Sequence, residues 1–140
     1  MNFLSSLPTP AIYLYCIAAA AVLVYFPYLF VAYGRFQIGY DRSAPRSQFD
    51  KLPAFAKRAT WAHENAFESF MLFAAAALMA YVTGVDSPWA VGGAIAYTIA
   101  RFGFSVCYLL DWPSVRSLMF GIGSTAIGIL ITLSLLKVTP

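Results

Sequence analysis

RATWAHENAFESFMLFAAAALMAYV, residues 58–82, opens with an arginine, a histidine, an asparagine and two glutamates, then runs apolar to Val82. In a chain with only 11% charged residues, charge in such a segment needs a reason. At helical spacing Arg58, Trp61, Asn65, Glu68 and Leu72 share one face, because residues three and four apart are neighbours on a helix, while His63 and Glu64 point elsewhere. A segment this long and apolar reads as a membrane helix. Asn65 and Glu68 then lie inside the bilayer, where polar groups are expensive and are kept only when paired or functional.

The rest of the chain has the same character. Of its 140 residues 61% are hydrophobic and 17% aromatic, and the mean hydropathy of +0.71 lies far outside the range of a soluble domain. Four apolar stretches, at about 11–33, 54–82, 87–110 and 115–136, each approach the roughly 20 residues needed to cross a hydrocarbon core of about 30 Å. Transmembrane strands are excluded because the runs are continuous rather than alternating. The expected fold is an all-α integral membrane protein, a four-helix transmembrane bundle forming a single domain over 1–140. The N-terminal run has no preceding positive residue and is long enough to span, so it reads as a retained helix rather than a signal peptide.

The net charge of +3 does not point to nucleic acid, because the cations are placed by topology. Six of the nine, Arg35, Arg42, Arg46, Lys51, Lys57 and Arg58, cluster around the first loop, and Arg116 follows the third span. The positive-inside rule puts both loops in the cytoplasm and both termini outside. Basic residues there also suit anionic headgroups, so membrane lipids are expected partners. Cys16 and Cys107 fall inside spans without a CxxC or a Cys/His cluster, and read as small apolar fillers.

Several residues are candidates for a site. Arg35, where the first helix leaves the membrane, is either a snorkelling cation or an anion-binding group at the mouth of a site. Glu68, roughly 20 Å along the second span, and Arg101, about 14 Å from the end of the third, sit at similar depth and read as an ion pair. Tyr97, Arg101, Ser105 and Tyr108 form a polar face expected to turn inward. Tyr108 could give its hydroxyl proton to a thiolate or peroxide, or bond a backbone carbonyl. In DWPSVRS, residues 111–117, Asp111 or Ser114 is expected to cap the fourth helix, with Pro113 near its start. Arg116 and Ser117 then occupy its first turn, a good place for a carboxylate, phosphate or thiolate, unless Arg116 only marks the membrane surface. Ser117, Gly121, Ser124 and Gly128 make a small-residue stripe suited to close packing within the bundle or between subunits. His63 reads as a hydrogen-bonded structural residue. No phosphate-binding loop, HExxH or cysteine cluster occurs, so nucleotide and metal chemistry find no support.

The segment RATWAHENAFE, with an arginine ahead of an Ala-His-x-Asn-x-x-Glu pattern, resembles the second-helix motif of the membrane-associated proteins in eicosanoid and glutathione metabolism, the MAPEG family. ARFGFSVCYLLDWPSVRS resembles that family's third-helix arginine, the tyrosine seven residues on, and the Arg-Ser opening helix four. The resemblance implies a homotrimer with glutathione bound between adjacent subunits on the cytoplasmic side. It assigns Arg116 to stabilising the glutathione thiolate, with Ser117 beside it and Tyr108 as the helix-three tyrosine. It assigns Asn65 and Glu68 to contacts with glutathione, Arg58 to the motif's opening arginine, and Arg35 to an arginine near the end of helix one. The chain departs from the glutathione-using pattern at Trp61, where an arginine is usual, at Phe104, where a tyrosine or histidine is common, and at Ser69, which replaces an aromatic residue. It looks closer to bacterial members, which implies a bacterial inner membrane.

Two readings follow. The first is a membrane glutathione transferase or peroxidase activating a thiol against lipophilic small molecules, either electrophiles or lipid hydroperoxides from the bilayer. The second is a non-catalytic membrane module that binds lipid or another thiol, or an accessory subunit of a membrane complex. Arg116, Ser117, Tyr108 and the Asn65/Glu68 face favour the first; Trp61 and Phe104 favour the second.

Overall fold

Apolar sequence in lipid must satisfy its backbone within each segment, and the chain does so with four long helices. The computed structural model describes residues 7–39 and 41–140. The residues before Leu7 and Tyr40, a part of the first loop, lie outside it. Helix α1 is Thr9–Gln37, α2 is Ala54–Val82, α3 is Pro88–Leu109 and α4 is Pro113–Val138. A short 3-10 helix, Pro45–Lys51, interrupts the first loop. All four long helices have the length and hydropathy of membrane spans, and the protein is an integral, multi-pass membrane protein of the four-helix bundle class. At both ends of α1 and α4 the helix runs beyond the apolar stretch, because hydropathy marks the lipid depth and not the hydrogen-bonded end.

Helix α1 packs chiefly on α2, and α3 on α4, with α2 and α3 also in contact. Alanines make this possible. Ala56, Ala59, Ala62, Ala66, Ala76, Ala77 and Ala80 form the buried stripe of α2, and small side chains let helix backbones approach closely in lipid. The tightest approach is between Gly34 and Ala56: a Cβ at Gly34 would collide with the Cβ of Ala56. A Gly34→Ala substitution must therefore push α1 from α2, and its expected cost is about 1–3 kcal/mol, read as a lowered melting temperature in detergent. An unchanged melting curve would show that this crossing is not as close as the structure has it.

The core is anchored at mid-depth by Phe73 of α2, whose ring stacks on Tyr97 of α3 at 3.8 Å and 7°. The Tyr97 hydroxyl meets Ser69 at 3.0 Å. Tyr97, Arg101 and Ser105 are buried, so the polar face of α3 does turn into the bundle. His63 of α2 donates from Nδ1 to the Val24 carbonyl of α1 at 2.7 Å, near Pro27, where a missing amide hydrogen loosens the helical ladder. That is the structural role expected of His63. Cys16 and Cys107 are free and buried.

The turns have local causes. At the end of α2, Gly84 takes φ 65°, its amide returns to the Tyr81 carbonyl and the Val85 amide to Ala80, a Schellman closure that a Cβ would strain. The far end of α1 is tied to this turn by Tyr13, which donates to the Val85 carbonyl at 2.9 Å. The end of α3 closes in the same way, with the Trp112 amide on Cys107 and the Asp111 amide on Tyr108, but here the left-handed position, φ 60°, is Asp111. This overturns the expectation that Asp111 or Ser114 caps α4: no side chain caps it, and Pro113 supplies its first turn. Asp111 tolerates the left-handed region that most residues avoid and is spent on closing α3. In the first loop the Ser43 hydroxyl and amide both donate to Asp41, at 2.6 and 2.9 Å, which holds that carboxyl below its usual pKa.

The small-residue stripe on α4 also finds a definite place. Ser117, Gly121, Ser124 and Gly128 are all exposed, and Cβ atoms at Gly121 and Gly128 would meet open space. The face of α4 that packs inside the bundle is instead Gly123, Ala126, Leu130 and Ser134. Packing within the bundle is thus not the purpose of the stripe, of which Ser117 and Gly121 line a shallow apolar groove of about 870 Å³ between α3 and α4.

Candidate functional site

The residues singled out in the sequence fall into two groups. The first gathers where α2 begins and α3 turns into α4. Arg58, in the opening turns of α2, reaches Asp111 with its Nη1 at 3.8 Å. Arg116, one turn into α4, places its guanidinium carbon 4.4 Å from the centre of the Tyr108 ring. Both Arg116 and Tyr108 are half-buried, so the guanidinium is held by an aromatic face while still open to an anion. Ser117 is exposed, and its hydroxyl donates to the Pro113 carbonyl at 3.0 Å within its own helix.

Deeper along the same line, the Arg101 guanidinium sits 4.3 Å over the Phe104 ring, and Phe104 meets Tyr108 edge-on at 5.5 Å. A chain of contacts therefore runs from Arg101 through Phe104 and Tyr108 to Arg116. The expected ion pair between Glu68 and Arg101 is not formed. Arg101 donates from Nη2 to the Asn65 carbonyl oxygen at 2.9 Å, and Glu68 is exposed and in no ion pair among the described residues. The reason is rotational. Three residues along a helix is close to, but not quite, a full turn, and the alanine stripe of α2 sets a rotation that points Asn65 at α3 and Glu68 past it. Of the face shared by Arg58, Trp61, Asn65, Glu68 and Leu72, only Arg58 and Asn65 are half-buried; the other three are exposed.

The second group lies in a cleft of about 790 Å³ between α1, the 3-10 helix and α2. Arg35, Arg46, His63, Glu64 and Glu68 supply its charge and polarity, and Tyr28, Phe49 and Phe67 its apolar lining. Arg35 donates to the Tyr28 hydroxyl at 3.4 Å. The roof is held by Phe49, which packs on Trp61 at 5.8 Å, with the Lys57 ammonium also 5.8 Å from its ring.

The MAPEG family model matches residues 12–136, a span that takes in almost all of α1, the loop, α2, α3 and α4. The chain belongs to the MAPEG family. Comparison with curated proteins and with solved structures returned no significant match.

Within a MAPEG bundle the positions that departed from the glutathione-using pattern acquire structural roles. Trp61 carries the loop helix through Phe49, Phe104 is the platform under Arg101, and Ser69 holds Tyr97. Sequence reading missed Phe104 as a cation platform and Asp111 as the partner of Arg58. The first had a signal, an aromatic three residues after a buried arginine on one helix. The second had none, since it depends on how α2 meets the α3–α4 turn.

Proposed function

We propose that this MAPEG protein is a membrane-bound thiol-activating enzyme of the glutathione transferase and peroxidase kind, acting on lipophilic electrophiles or lipid hydroperoxides that reach it from the bilayer. The observation that carries the proposal is Arg116, a half-buried guanidinium fixed over Tyr108 in the first turn of α4. Helix amides and a fixed cation together favour an anion, and they favour a thiolate over a thiol, which lowers the thiol pKa.

The residues present fit an anionic, zwitterionic tripeptide. Arg58, beside Asp111, and Arg116, over Tyr108, put two half-buried guanidinium groups at the same end of the bundle, where they can donate to an anion. The exposed carboxylate of Glu68 suits an ammonium. Glutathione, when bound, supplies the thiolate nucleophile. Arg116 would hold its negative charge, the Tyr108 hydroxyl would hold or deliver a proton beside it, and Arg58 and Asn65 would offer donors to carboxylates. Arg35 and Glu68 belong to the cleft, on another part of the protomer. A homotrimer that sets the cleft of one copy against the α3–α4 turn of the next would unite the two groups, and the exposed small-residue stripe of α4 suits such close packing. The basic first loop favours a cytoplasmic site, in the inner membrane of a bacterium, with both termini outside.

The test is a glutathione titration of the purified protein in detergent at neutral pH, following thiolate absorbance, with cross-linking to count subunits. A saturable thiolate signal from a trimer supports the enzyme. One observation favours the second reading, a non-catalytic module: Trp61 is committed to Phe49 and offers no guanidinium to a carboxylate. Absence of a signal at millimolar glutathione would decide for it.

A further inference from the structure

Arg101 is 4% exposed in the middle of a membrane bundle, yet no carboxylate lies within ion-pair distance of it among the described residues. Its neighbours are the neutral Asn65, at 2.9 Å from Nη2, and the Phe104 ring, while its Nε makes no hydrogen bond. For stability alone this is a poor arrangement. An aspartate at position 65 would neutralise the charge, and an apolar residue at 101 would remove it. Asparagine differs from aspartate in one respect that matters here, which is its amide NH2.

We infer that Arg101 is a positioning residue: it fixes the Asn65 amide so that only N–H donors face the thiol site, which selects a carboxylate or carbonyl group of the ligand there. The inference rests on the thiol-binding reading given above. A guanidinium has donors and no acceptor, so the only atom of Asn65 that can meet it is Oδ1. The orientation of the amide is thereby set by chemistry, and Nδ2 must lie on the other side. Asn65 is half-buried, and no described residue accepts a hydrogen bond from Nδ2. Without the guanidinium the amide could turn over and present its carbonyl, which would repel a carboxylate and welcome an ammonium.

One turn further along α2 stands Glu68, exposed and acceptor-only when ionised. Helix α2 thus offers donors at Asn65, on the side of α3, and acceptors at Glu68, on the side of the cleft. Had Glu68 paired with Arg101, both features would be lost. The carboxylate would be consumed, and the amide would be free to turn.

The test uses the full-length protein in detergent, with reduced glutathione as the probe, and reads affinity and melting temperature together. Asn65→Asp is expected to raise the melting temperature, because the buried cation gains a counter-ion, and to weaken glutathione binding by roughly ten- to a hundredfold, because donors become acceptors. Arg101→Gln, which can both donate and accept, is expected to weaken binding about tenfold, whereas Arg101→Lys, donor-only like arginine, should stay within about threefold of the wild type. A merely structural arginine would not separate Gln from Lys in affinity while both remain folded. Asn65→Asp binding as tightly as wild type, or melting lower, would overturn the inference, as would equal affinities for the two Arg101 variants. Wild-type protein that ignores glutathione would instead refute the thiol-binding reading and take the ligand with it, a different outcome from wild-type binding that no variant disturbs.

Discussion

Arg116→Ala is expected to abolish the thiolate absorbance and to lower turnover by roughly a hundred- to a thousandfold, the usual loss when a preorganised group facing developing charge is removed. The fold should survive. The Arg116 side chain is half-buried, its described contact is the Tyr108 ring, and alanine is the best helix former for the first turns of α4. Stability should therefore shift by no more than about 1 kcal/mol, the scale of one cation–aromatic contact. Arg116→Lys keeps the charge but not the planar fork, and intermediate values are expected of it. Absorbance titration, initial rates and melting in detergent measure the three quantities on one preparation. A full thiolate signal in the alanine variant would remove Arg116 from the mechanism and return the protein to the non-catalytic reading.

Asn65→Leu should be the most destabilising single change in the polar core. It removes the only hydrogen bond the Arg101 side chain makes among the described residues and leaves a buried cation with an aromatic face for company. Stranding one partner of a buried charged contact costs on the order of 3–5 kcal/mol. Arg101→Met by itself leaves the Asn65 carbonyl unpaired and should cost less, about 1–3 kcal/mol. The double variant Asn65→Leu/Arg101→Met should recover most of the loss, since nothing polar is then left unsatisfied. Unfolding of the four proteins in detergent forms a double-mutant cycle, and a coupling energy near zero would show that the two side chains do not depend on each other. Glu68→Gln is the control. Exposed and unpaired, it should change stability by less than about 0.5 kcal/mol. A large loss on neutralising Glu68 would mean that the pairing read from sequence exists in the assembled protein after all.

These contrasts show where legibility stops. The four spans, the inward polar face of α3 and the structural role of His63 could be read because each depends on residue type and on the period of one helix. The partner of Arg101 could not. Asn65 and Glu68 are one turn apart at similar depth, and choosing between them requires the rotation of α2 against α3, which no single helix contains. Asp111 was legible as a turn residue but not as the left-handed closure of α3, because serving the helix behind or the helix ahead are both local options, and its contact with Arg58 comes from a third element.

By itself the amino-acid sequence determined the membrane class, the number and approximate extent of the helices, and the fact that Asn65, Glu68 and Arg101 carry polarity where lipid would exclude it. Those are local quantities, set by transfer free energy summed over about 20 residues and by a periodicity of 3.6. Tertiary structure decided which of those groups meet. The close approach at Gly34 and Ala56, the alanine stripe of α2 and the Phe73–Tyr97 stack fix how the helices turn toward one another. That rotation gives Arg101 to Asn65, turns Glu68 into the cleft and leaves the small residues of α4 on the outside, because side-chain packing, unlike hydropathy, is a property of pairs of helices.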